Sequence, residues 1–335
     1  MIKRSLVLLA VLAGTSDASV WDRALTSPED EAARDLYDAK MLEGDTATLT
    51  ATIQSTSIAS NLESIRRAEL AYRAASQVRP REAEPYFRIG NLLYQMYYNC
   101  DTQINQLPIC NPNNMVHAER VISAWEEFER RAPLDPRVSG FLLSRALLNT
   151  KLVDGTPGDR HHLEKAARDY QAALDRGDGL SGARSDEQLL GNMAETYMML
   201  SRLDDAIATY SQAVAAGAAR VSTVYGLAVA LDRDGSGEQA IRQIQGQGAE
   251  GLEAFTKECV RRMVFFVPNG ESSYYLALAN EAAGNLGVAL TLWNRYIQSG
   301  AHPEFQGRAR EHIEELHDKR VHAEQPPPEL NPPPC

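Results

Sequence analysis

A spacing of small and aromatic residues that recurs at a fixed interval constrains this chain more than anything else in it. The stretch EQLLGNMAETYMMLSRLDDAIATYSQAVAAG, residues 187–217, carries Ala194, Tyr197, Ala206, Tyr210 and Ala213. Thirty-four residues further on the register holds, with Ala228 matching Ala194, Ala240 matching Ala206 and Ile244 matching Tyr210. No stretch of the chain shows sustained strand alternation. A period of this length is the mark of stacked supersecondary units, each burying its apolar face against the next.

The same spacing appears elsewhere. AELAYRAASQVRP supplies Ala68, Tyr72, Ala75 and Pro80, and runs without a gap into YFRIGNLLYQMY, with Tyr86, Ile89 and Gly90. RVISAWEEFERRAP follows with Val121, Trp125, Phe128 and Pro133. FLLSRALLNT is paired with EKAARDYQAALDRG, which brings Ala166, Tyr170 and Ala173. The last unit, YYLALANEAAGNLGVALTLWNRYIQSG, holds Ala277, Gly284, Ala289 and Trp293.

This pattern resembles the tetratricopeptide repeat, a helix-turn-helix unit of 34 residues. The resemblance covers roughly residues 60–300. It implies an all-α fold, an α-solenoid of antiparallel helix hairpins wound into a right-handed superhelix. Close packing is the physical reason for the spacing: Ala194 and Ala206 let two helices approach, and Tyr210 fills the space between neighbouring hairpins. Two insertions depart from the pattern. The interval from Gly90 to Val121 is 19 residues too long, an inserted loop at about 99–116. A further 15 residues, within about 247–270, contain the amphipathic LEAFTKECVRRMVFF and read as an added helix.

The register also settles an ambiguous stretch, ALDRDGSGEQAI, residues 230–241. Asp232, Asp234, Ser236 and Gly237 stand where the first half of an EF-hand loop places its ligands and its glycine. The loop's bidentate glutamate is replaced by Gln243, however, and its apolar eighth position by Gln239. In the repeat register Gly235 falls between two helices, so the stretch reads as an inter-helix turn.

The resemblance further implies an interaction surface. Proteins of this family hold a peptide or another protein in a concave groove lined by their first helices. Carried over residue by residue, the partner-binding positions are Phe87, Asn91 and Tyr94, then Glu195 and Met198, then Tyr225, then Tyr274 and Leu278. That set is aromatic, apolar and acidic. It departs from the Lys, Arg and Asn clamps with which some members hold a terminal carboxylate, and fits an aromatic- or aliphatic-rich, basic segment better.

The ends differ from the middle. Lys3 and Arg4 precede the apolar LVLLAVLAG, and Ser16 and Ala18 supply small residues at a cleavage site, the pattern of a signal peptide over 1–18. The apolar run is about half the length a bilayer span needs. An exported chain, periplasmic or extracellular, is therefore expected. Residues 19–59 begin with a well-signalled helix, SPEDEAARDLYDAKMLEGD, in which Ser27 caps and Pro28 opens the first turn. The Thr-rich TATLTATIQSTSIAS after it, poor in clear periodicity, reads as the worn first helix of a hairpin. EFQGRAREHIEELHDKR, within 301–321, reads as a charged capping helix, and the proline-rich tail 322–335 as disordered.

Export changes the reading of four cysteines, since an oxidising compartment permits disulfides. Cys100 and Cys110 share the first insertion, and closing a loop of that length contributes about 2–4 kcal/mol. Cys259 falls at helical spacing with Leu252, Phe255 and Met263, as a small buried residue, and Cys335 ends the tail.

No motif points to catalysis. His312 and His317 in HIEELH are five apart rather than the four of a zinc-protease helix, and diverge by about 140°, so this helix reads as solvated. Adjacent His161 and His162 lack partner ligands, and no phosphate loop, serine elbow or paired-cysteine metal motif occurs. No cofactor or metal is expected. A net charge of −11 argues against a nucleic-acid partner. The expectation is an exported, non-catalytic scaffold for another protein; the alternative is an enzyme or metal-dependent envelope protein with an unrecognised site.

Overall fold

The computed structural model describes residues 27–53, 57–99, 110–111, 115–153, 159–177, 183–216, 220–260 and 270–330. Among them are fourteen α-helices and no strand. The chain forms two compact units. The first comprises the residues up to Asn111 with Arg130–Ala132; the second comprises Pro112–Glu129 and everything from Pro133.

The first unit holds α1 (Pro28–Ile53), α2 (Ile58–Val78) and α3 (Glu84–Tyr97). Ser27 accepts the backbone N–H of Asp30, and Glu29, Asp30 and Glu31 follow in the first turn, where they favour the helix dipole. The first half of the Thr-rich stretch is helical, as α1 runs into it as far as Ile53 and packs against α2. Thr46 and Thr50 donate their hydroxyls to the carbonyls of Leu42 and Thr46, so these side chains are satisfied without leaving the helix. Ala47 and Ala51 are buried in α1, and Ala68 and Ala75 in α2. The Tyr72 ring lies against Gly44, where a Cβ would come within 2.4 Å of it.

The second unit begins with α4 (Ala118–Arg131, its last residues belonging to the first unit) and α5 (Ser139–Lys151). There follow α6 (Arg160–Arg176), α7 (Ala183–Met199), α8 (Leu203–Ala215), α9 (Val221–Arg233) and α10 (Gly237–Gln245). The unit closes with α11 (Ala249–Val260), α12 (Glu271–Ala282), α13 (Leu286–Ser299) and α14 (Gln306–Asp318). Consecutive helices pair as antiparallel hairpins: α5 with α6, α7 with α8, α9 with α10, α12 with α13. Trp125 of α4 stacks on Phe141 of α5 at 5.0 Å. Arg145 of α5 makes a bidentate pair with Asp169 of α6, both bonds 2.7 Å, and meets Glu129 of α4 at 2.7 Å.

The period of the sequence is visible in the turns. Ser201, Gly235 and Gly284 all adopt left-handed backbone angles, φ 58°, 87° and 82°. In each case the next residue's N–H reaches back five positions: Arg202 to Tyr197, Ser236 to Leu231, Asn285 to Asn280, at 2.8–2.9 Å. This is the Schellman close of a helix. The first two turns are 34 positions apart; the third comes 49 after the second, with α11 lying in that interval. ALDRDGSGEQAI is thus the turn between α9 and α10.

Ala68, Tyr72, Gly90, Trp125, Ala166, Tyr170, Ala194, Tyr197, Ala206, Tyr210, Ala228, Ala240, Ala277, Ala289 and Trp293 are all buried. One contact among them depends on a glycine of the next hairpin. A Cβ on Gly226 of α9 would fall 2.4 Å from the Tyr210 ring of α8.

Residues 322–330 are not the disordered tail expected from their prolines. Arg320, at φ 57°, turns the chain after α14, and the segment then lies along α13. The signal segment 1–18, Cys100, Cys335 and the side chain of Cys259 lie outside the described residues. Cys110 is disulfide-bonded. Among the described residues no helix is long and apolar enough to cross a membrane.

Candidate functional site

The expected groove positions separate into two groups. On α3, Phe87, Asn91 and Tyr94 follow one another at helical spacing and remain half-exposed, while Ile89, Leu92, Leu93 and Met96 on the opposite side are buried. The Tyr94 ring lies 6.4 Å from that of Tyr98, which is itself buried. Two aromatic rings and an amide thus share one side of α3 and are neither fully buried nor fully exposed.

In the second unit the corresponding residues are core. Met198, Tyr225, Tyr274 and Leu278 are sealed from solvent and cannot line an open groove. The added helix α11 supplies part of the reason, because its Phe255 lies 4.7 Å from the Tyr225 ring. Tyr274 is enclosed edge-on by Trp293 at 4.7 Å and Tyr296 at 4.9 Å. Met198 sits with its sulfur 4.0 Å from Arg233. Glu195 keeps part of its surface, but its carboxylate turns inward and accepts the hydroxyls of Tyr210 at 2.5 Å and Tyr275 at 2.8 Å. Burial, and then the charge of Glu271, push the Glu195 carboxyl up from its ordinary range.

What replaces the groove is a buried polar network fed by consecutive residues at the end of α9. Asp232 accepts the Tyr274 hydroxyl at 2.6 Å, Arg308 Nη2 at 2.8 Å and His312 Nε2 at 3.0 Å. Burial opposes its ionisation, but those donors outweigh it and hold the Asp232 pKa at about 2. His312 completes the cluster: Nδ1 lies 3.0 Å from Glu281, and the ring stacks on Trp293 at 4.5 Å. Burial alone would keep this imidazole neutral; hydrogen bonds to Asp232 and Glu281 raise its pKa instead to about 9.

Arg233 points the other way. Its guanidinium pairs with Glu271 at 2.7 Å and lies between the rings of Tyr274, at 4.4 Å, and Phe305, at 4.3 Å. His302 stands 3.9 Å from Glu271 and 3.6 Å from Glu304. Burial works against the charged ring, yet Glu304 and Glu271 raise the His302 pKa above its ordinary value.

His312 was expected on a solvated helix. It is 3% exposed, because Phe305, Ala309, His312 and Leu316 recur at three- and four-residue intervals and form the buried side of that segment. That spacing was the signal available in the sequence. In the sequence Asp232 stands out only at an EF-hand ligand position, and Arg233, Glu271, Glu281 and Gly226 carry no local signal. Each charge in the cluster is matched by a neighbour, and the His–Asp pair is closed to substrate. The arrangement ties α9 to α12, α13 and α14. Among the described residues no group of three His, Cys, Asp or Glu could hold a metal ion.

No family model matches the sequence, and none of the curated proteins matches it. Among solved structures the chain is similar to one titled "Crystal structure of MamA protein", at 12% identity and a TM-score of 0.41, over 70% of this chain and 99% of that one.

Proposed function

We propose that this chain is an exported, non-catalytic protein-interaction scaffold of the periplasm or cell envelope, and that it holds a protein or peptide through α3. The observation that carries the reading is the half-exposed row Phe87, Asn91, Tyr94, whereas Met198, Tyr225, Tyr274 and Leu278, the positions expected to serve the same role in the second unit, are buried. Amphipathic rings at a surface supply contact area at low entropic cost, as interface anchors do. The four cysteines and the charged–apolar–small pattern of residues 1–18 support export.

Crosslinking of the mature chain in envelope extracts, compared with a Phe87→Ala/Tyr94→Ala double variant, tests the surface. The double variant should lose the captured partner while its helicity is unchanged; equal capture would exclude α3. N-terminal sequencing tests export: the mature chain should start at Ser19, and an intact Met1 on cytosolic protein would refute it. A large thermal shift with calcium, zinc or EDTA would instead favour a metal-dependent protein.

A further inference from the structure

The segment 322–330 lies on α13 in the manner of a bound peptide. Its main chain is read directly. The N–H of Glu324 donates to the carbonyl of Gly287 at 2.9 Å, and Thr291 donates its hydroxyl to the carbonyl of Glu324 at 2.7 Å. One turn further along α13, Arg295 Nη1 donates to the carbonyl of Leu330 at 3.2 Å. Gly287, Thr291 and Arg295 are four residues apart, so one stripe of α13 makes every one of these bonds.

The stripe is shaped for backbone. A Cβ on Gly287 would fall 2.5 Å from the Glu324 side chain and 2.7 Å from the His322 carbonyl, so the segment uses the space a side chain would fill. Two of its residues go inward: Pro326 is buried, and Leu330, at the end of a short 3-10 turn that also meets α11, is 3% exposed. His322, Ala323, Gln325, Pro327 and Pro328 face solvent. Main-chain bonds thus hold the segment, and a proline followed four residues later by a leucine gives it its identity.

We infer that this face of α13 is a peptide-binding groove occupied by the protein's own segment 322–330, and that it accepts a Pro-x-x-x-Leu segment of another protein, closed by the same short turn, in its place. The tail is joined to α14 by a turn of a few residues, so it competes at an effective concentration of about a millimolar or more. An outside segment therefore gains the groove only when the tail is released or outcompeted. The surface is distinct from α3, and the two stand independently.

The probe is a fluorescent, amidated nonapeptide of residues 322–330, HAEQPPPEL. A full-length Leu330→Asp variant loses its own anchor and should bind the probe at least tenfold more tightly than the wild type. The same peptide with aspartate in place of its leucine should bind neither protein. A folded L330D chain that ignores the probe, or equal affinity for both proteins, overturns the inference. Hydrogen exchange on the wild type keeps the test decisive if the variant fails to fold. Millimolar free peptide should speed exchange of the Glu324 amide by displacing the tail, and an unchanged rate refutes the groove.

Discussion

Nε2 of His312 lies 3.0 Å from Oδ2 of Asp232, a residue 80 positions earlier, and both side chains are sealed from solvent. The pair fixes a pH dependence. His312 titrates at about 9 in the folded chain and near 6.5 when unfolded, so its contribution is complete below about pH 6.5 and is lost as the pH rises through 9. Asp232, held at about 2, contributes above about pH 4 and fails as the pH falls toward 2. On the account of this pair the melting temperature of the second unit should decline as the pH rises from about 6.5 toward 9, and the raised carboxyl of Glu195 adds a loss that begins above its ordinary range. His302, also raised, adds to that decline. His312→Gln should flatten the alkaline limb in scanning fluorimetry; a limb of unchanged depth would place the titration elsewhere.

Arg233 offers a test of the ion pair at the centre of the second unit. Arg233→Met leaves Glu271 charged and buried, and should destabilise by about 3–5 kcal/mol in urea unfolding. Adding Glu271→Gln should recover most of that loss. A double variant as unstable as the single one would show that the aromatic sandwich, rather than the charge, carries the effect.

Gly226 should tolerate no side chain. Gly226→Ala forces the Tyr210 ring to move and should cost about 1–3 kcal/mol. In a Tyr210→Leu background the same change should cost less. Additive losses would contradict the contact.

The first insertion is open to chemical mapping. Cys110 should resist alkylation until reduction, and its peptide should be recovered joined to that of Cys100. Free Cys100 thiol in exported protein would rule out that pairing.

The helix hairpins were legible in the sequence because close packing demands small residues at fixed positions, and Ala194, Ala206, Ala228 and Ala240 satisfy that demand locally. The turn at Gly235 was legible for the same reason. The groove was not. A register gives the helix on which Tyr225 or Tyr274 stands, but not that α11 and Trp293 cover them, since those covering residues are remote or inserted. His312 illustrates the limit from the other side. Its neighbours Glu314 and Glu315 suggested solvent, and only its place on the Phe305–Leu316 stripe, together with Asp232, explains a buried charge. The tail was misread because proline content reports how a segment bends, while its docking rests on Gly287, Thr291 and Arg295.

In an idealised solenoid each unit touches only its neighbours, so units can be removed from an end and the rest remains folded. The second unit here is wired differently. Glu195 of α7 bonds Tyr275 of α12, Asp232 of α9 bonds Arg308 and His312 of α14, and Ser201 bonds Glu304, 103 positions away. Cutting the chain after any hairpin between α7 and α14 would strand a buried charge. This part of the protein should melt in a single transition, and it offers no internal point at which a shorter, autonomous fragment can be cut.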